Sequence, residues 1–305
     1  MRTLRLAITI GALSLIATTT HAETGVFPVL RVSTERGQIL LVGSNHLAPS
    51  NIYTKQAEQV MSGAKSLCLE ASPSEKEAAR RAWRATMLNA TGRTIAQRHG
   101  QQLADNITRA LAWNPLIADK LNNFSDQALA TFLWLLPPSE QLAPPLPLQP
   151  GYSIDAALLA LAGQRDAKVA SIEDLDAVPK AISRITEKEW TEYLRMSVEL
   201  SKCKDCLRDM ASHMAQQYAK STDYDAAYQE MRAAFGPNDK LFDLFDRITL
   251  RIRNQGMANN MYARALGRNE CDVVAVGTAH LGGPNGVVAL LRKMGATVTP
   301  AATEE

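Results

Sequence analysis

The chain has 305 residues, with 33 Lys and Arg against 31 Asp and Glu, a formal net charge of +2 and 46% hydrophobic residues. So even a balance argues against a nucleic-acid partner, because phosphate binding needs a clustered basic excess. The length is enough to bury one large core, or a core with a subdomain.

Residues 1–22 read as a secretory leader. Arg2 and Arg5 make a short basic start, an apolar run from Leu6 to Ala17 follows, and Thr20-His21-Ala22 offers a small-x-small cleavage site. That run falls short of the ~20 apolar residues that span a bilayer, and no later segment is longer, so no stable membrane insertion is expected. The mature chain is expected to begin near Glu23 as a single domain over 23–305, in the periplasm or secreted. Losing the leader removes two arginines and no acid, which leaves the mature chain formally neutral.

Residues 28–42 alternate and break at TERG, the pattern of a hairpin with Gly37 in its turn. The second strand ends at Gly43. A helix over about 52–62 follows, with Ala57, Val60 and Met61 on one face and Gly63 as a left-handed cap. The chain returns as the short strand SLCLE, ending at Glu70.

A mostly helical insertion over about 73–265 comes next. Six prolines between Pro137 and Pro150 mark a loop within it. Ile154, Ala157, Leu158 and Leu161 form a helical face, KVASIE (168–173) reads as a strand, and the patterns over 187–220 and 238–266 read as helices. These helices either cover the site or only pad the core. DVVAV (272–276) is then an apolar strand ending at Gly277. Pro284 is placed in a first helical turn, Val287, Leu290, Leu291 and Met294 share a helical face, Gly295 caps it, and ATV enters a last strand.

The two ends repeat one plan: VGSNHL matches VGTAHL, and Gly63-Ala64 matches Gly295-Ala296. The expected fold is therefore α/β: a central mixed sheet with two pseudo-duplicated strand–GxxH–helix units and a large helical insertion. Catalytic groups gather at the carboxyl ends of strands in such sheets. Gly43 and Gly277 let the backbone turn sharply or approach a ligand closely there. His46 and His280 then emerge from equivalent turns, with Glu70 at the same edge. Two imidazoles and a carboxylate can hold a divalent metal with positions left open for water, or one of them can act as general base while the others orient the substrate. Two loop histidines satisfied by backbone hydrogen bonds are the plain alternative. Asp155, Glu173, Arg253 and Asn254 are supporting candidates, each with an equally ordinary structural reading. His99 and His213 are expected at the surface.

Export would bring the four cysteines into an oxidising compartment, where disulfides can form. Cys203 and Cys206 form a lone C-x-x-C, either a local disulfide or two thiols; no thioredoxin-like pattern surrounds it. Whether Cys68 and Cys271 pair stays open.

The opening hairpin into VGSNHL, LCLE, GYSID…KVASIED, the Arg253-Asn254 pair and the closing VGTAHLGGPNGVVALLRKMGATV together resemble the TraB/GumN family, related to the Tiki metalloproteases. The resemblance covers nearly the whole mature chain. It implies a divalent-metal-dependent, peptidase-like hydrolase with a fold similar to erythromycin esterase-like and ChaN-like proteins, and an active site at Gly43–His46, Gly277–His280 and Glu70. Peptide or amide hydrolysis by metal-activated water, with a peptide or small molecule as substrate, is the leading expectation. A non-catalytic accessory protein binding haem or an envelope or conjugation partner is the second, and a metal-free esterase-like hydrolase the third.

Overall fold

A computed structural model describes residues 26–45, 53–134, 153–174, 176–206, 222–235 and 239–301. The leader, His46, the 137–150 loop and His213 lie outside the described residues, as does all of the predicted 187–220 helical stretch beyond Cys206.

Six strands form one mixed sheet: β1 (Val29–Thr34), β2 (Gly37–Ser44), β3 (Ser66–Leu69), β4 (Lys168–Ser171), β5 (Val273–Gly277) and β6 (Thr297–Pro300), in the order β4-β3-β5-β2-β1-β6. The predicted hairpin is present, with Thr34 paired to Gly37 and β1 antiparallel to β2. β4, β3, β5 and β2 are mutually parallel, so their carboxyl ends share one edge. The strands of the two repeated units are thus neighbours, with Ser44 opposite Gly277. Sequence-equivalent residues of the two motifs are offset by one position, because Gly43 pairs with Val276.

Side chains alternate across the sheet as strand geometry requires. Val42, Leu67, Leu69, Val273 and Ala275 face a core shared with the helices Thr54–Val60 and Ile154–Gln164. Ile39, Leu41, Val274 and Val276 face the opposite core, closed by Met257, Met261, Leu266 and the helix Val287–Lys293. Both faces are covered, which is why β5 reads as an unbroken apolar run.

The insertion builds a third core of its own, from Ile95, Leu103, Ile107, Leu129, Leu194 and Phe242 among others. One long helical segment joins it to the sheet. It starts at Asp239 and runs to Leu266 through two π-helical stretches, Asp246–Arg251 and Met261–Leu266. Leu241 and Phe242 at its start belong to the helical core, and Met257 and Ala258 further on belong to the sheet core. Arg253 and Asn254 therefore fall where the two cores meet. No helix among the described residues is long and apolar enough to cross a membrane.

The glycine caps behave as expected: Gly63 has φ +76° and Gly295 φ +91°. Two expectations fail. Pro284 lies in a turn ahead of the last helix, which begins at Val287 with Gly286 at its N-cap. The turn instead packs against the Tyr224–Ala234 helix, where a Cβ on Gly283 would meet the Tyr228 ring at 2.5 Å. His99 is not at the surface: its side chain is 0% exposed and bridges Asp126 (2.8 Å) and Thr191 (2.7 Å). A polar helix pattern did not disclose this, because those partners come from other helices of the insertion.

Candidate active site

Four backbone segments deliver the site to the carboxyl edge of the sheet. Glu70 is the first residue beyond β3. Glu173 follows β4 by two residues, Asn45 follows β2, and His280 ends a single 3₁₀ turn, Thr278–His280, after β5. The Thr278 hydroxyl donates to the Ser44 carbonyl at 3.1 Å, tying the two repeated turns together.

Gly43 and Gly277 serve close approach, since neither has a positive φ. A Cβ on Gly43 would lie 2.9 Å from both Leu281 and Thr278 side-chain atoms. A Cβ on Gly277 would lie 3.2 Å from Glu70 Oε1. The bare Gly277 backbone lets its N–H donate to Glu70 Oε1 at 2.6 Å.

Glu70 is held on its other oxygen as well. Arg253 Nη2 donates to Glu70 Oε2 at 3.0 Å, while its Nε and Nη2 donate to Glu173 at 2.5 and 2.8 Å. Burial works against the Arg253 charge, but the Glu173 hydrogen bonds and the two adjacent carboxylates outweigh it and hold the guanidinium above its ordinary pKa. Among the described residues these two carboxylates share one guanidinium, so the cluster carries a surplus negative charge.

His280 completes the arrangement, with its Nε2 3.7 Å from Glu70 Oε1. The His280 and Glu70 side chains are only 6% and 14% exposed. Asn254 Nδ2 donates to the Asn285 carbonyl at 2.9 Å, which can only accept. That orients Asn254 Oδ1 toward His280 Nδ1, 2.6 Å away, so Nδ1 carries the proton. In the neutral ring the lone pair then sits on Nε2, on the side of Glu70.

This donor set fits a divalent cation. It supplies an imidazole nitrogen with a fixed tautomer, an adjacent carboxylate and local surplus negative charge, and Asn254 plays the outer supporting part that metal-bound histidines ordinarily have. Among the described residues no group of three or more candidate ligands is assembled. Glu70 and His280 make two, and His46 falls outside the described residues.

Asn45, just before His46, is 5% exposed. Its Nδ2 donates to the Tyr53 hydroxyl at 3.1 Å, and its Oδ1 accepts the Ile154 N–H at 3.1 Å. The adjacent Asp155, in the first turn of the Ile154–Gln164 helix, is thereby placed at the same sheet edge. Burial raises the Tyr53 pKa, partly offset by the Asn45 hydrogen bond.

The structure therefore gathers Glu70, Glu173, Arg253, Asn254, Gly277 and His280. Two contributors escaped the sequence: the Gly277 N–H and the Asn285 carbonyl. Both are backbone groups, and only the glycine leaves a trace in the residue pattern.

No curated protein matches the chain, and no solved structure matches it. The TraB/PrgY/gumN family matches residues 28–300, from the first strand of the sheet to the last and across every residue of the site. The chain belongs to the TraB/PrgY/gumN family.

Proposed function

We propose that this protein is an exported hydrolase of peptide or amide bonds, and that His280, Glu70 and His46 hold a divalent metal ion. The observation that carries the reading is the Asn254-fixed tautomer of His280, which turns the Nε2 lone pair toward the Glu70 carboxylate. A divalent ion at that point would polarise the scissile carbonyl and acidify water. The Gly277 N–H and Arg253 both bond the ionised form of Glu70, a role suited to holding a cation. Glu173 anchors Arg253 from behind, so Glu70 keeps its Oε1 on the side of His280. Export is supported by the leader pattern of residues 1–22 and by two disulfides, Cys68–Cys271 and Cys203–Cys206.

The test is elemental analysis of protein purified without chelator, followed by hydrolysis of a peptide library with and without added divalent metals. Stoichiometric metal, lost in His280→Ala together with cleavage, is the expected result. Cleavage that survives complete metal removal would transfer the chemistry to the metal-free reading. Metal-loaded protein that cleaves nothing would favour an accessory binding protein.

A further inference from the structure

The C-x-x-C pair differs from the other disulfide in its exposure and in the length of chain it closes. Cys68 and Cys271 are each 1% exposed and join β3 to the residues just before β5, across a sequence separation of 203. Cys203 and Cys206 are three residues apart, with Cys206 exposed and Cys203 half-buried. Cys203 is the C-cap of the sixteen-residue helix Glu187–Lys202, its N–H bonded to the Leu200 carbonyl at 2.9 Å. A disulfide that closes so short a loop removes little entropy from the unfolded chain. Exposed disulfides are also the ones open to exchange, because a thiolate must reach a sulfur directly.

We propose that Cys203–Cys206 is a reversible thiol–disulfide exchange site whose co-reactant is a dithiol. One thiolate of the dithiol attacks the exposed Sγ of Cys206. The new sulfur–sulfur bond forms as the Cys203–Cys206 bond breaks, and Cys203 Sγ leaves and takes a proton. The second thiol of the reagent, deprotonated, then attacks its own partner sulfur in the mixed disulfide and releases Cys206 as a thiol. The protein pair gains two electrons and two protons, and the dithiol becomes a disulfide. A monothiol fails at the second step: Cys203, three residues away, re-attacks the mixed disulfide and expels the reagent before a second molecule arrives. Residues 204–206 are helical and the Cys206 N–H donates to Cys203 Sγ at 3.3 Å, so the sulfur that leaves is held by a backbone donor that also stabilises its thiolate.

The test uses folded full-length protein purified in oxidised form and treated with dithiothreitol or with glutathione at equal thiol concentration. Iodoacetamide then traps free thiols, and mass spectrometry reads each cysteine. Dithiothreitol is expected to label Cys203 and Cys206 at least about tenfold more than Cys68 and Cys271, and glutathione to label them about tenfold less than dithiothreitol does. Equal labelling of both pairs overturns the proposal. So does glutathione matching dithiothreitol, or protection of Cys203 and Cys206 while a urea-unfolded control labels all four.

Discussion

Asn254 Oδ1 stands 2.6 Å from His280 Nδ1, and the two residues come from different elements, 26 positions apart in the chain. Asn254 rides the helix that links the helical core to the sheet, and His280 leaves the strand at the sheet's centre. This one bond decides which imidazole nitrogen faces Glu70.

Asn254→Ala removes the acceptor that fixes the tautomer while leaving both candidate ligands in place. Outer partners of this kind are worth about 10–100-fold in metal affinity or activity. Metal titration of the variant should show a drop of that size, with helical circular dichroism unchanged. Unaltered affinity would mean that the hydrogen bond only packs the ring.

Arg253→Met leaves Glu70 and Glu173 buried without their shared cation. Removing one partner from a buried ionic group costs about 3–5 kcal/mol. Urea denaturation should show this loss, and Arg253→Lys, which keeps the charge but not the two-pronged contact to Glu173, should lose less.

Gly43→Ala places a methyl 2.9 Å from Leu281 and Thr278 and 3.1 Å from Pro28. Overpacking at such a site costs about 1–3 kcal/mol. Gly277→Ala crowds only the Glu70 carboxylate, at 3.2 Å, and the His280 ring, at 3.5 Å. Thermal melts should therefore separate the two, with Gly43→Ala the less stable and Gly277→Ala losing activity at nearly constant melting temperature.

Replacing Cys68 and Cys271 together by Ala frees a closure of 203 residues, against three for Cys203 and Cys206. Loop-closure entropy gives roughly 5 kcal/mol for the long closure and roughly 2 kcal/mol for the short one. Equilibrium denaturation of the two double variants should preserve that order.

Thr186 and Glu189 form a capping box at the start of the Glu187–Lys202 helix. The Thr186 backbone and hydroxyl hydrogen bonds hold the Glu189 carboxyl below its ordinary pKa. Its stabilising effect is therefore complete above the unfolded carboxyl pKa and is lost as pH falls through the lower folded value. Glu189→Gln should flatten that acidic portion of the stability-versus-pH curve, measured by thermal melts from neutral to acid.

The elements legible in the sequence were those whose cause is local. The β1–β2 hairpin follows from alternation broken at TERG, and the Gly63 and Gly295 caps follow from conformations that side chains resist. The placement of Glu70 and His280 at one edge followed from two strand–glycine–histidine units in a parallel arrangement. Tertiary structure alone decided what depends on distant partners. It set the one-residue offset between the two motifs, since strand register is chosen by whole-face packing. It chose Cys68–Cys271 as a pair, and buried His99 between Asp126 and Thr191. It also turned the Arg253-Asn254 dipeptide from two helix residues into the clamp on Glu70 and the guide of His280. Neighbouring residues on a helix face different directions, so which of them meets the sheet edge is fixed only when the helix docks.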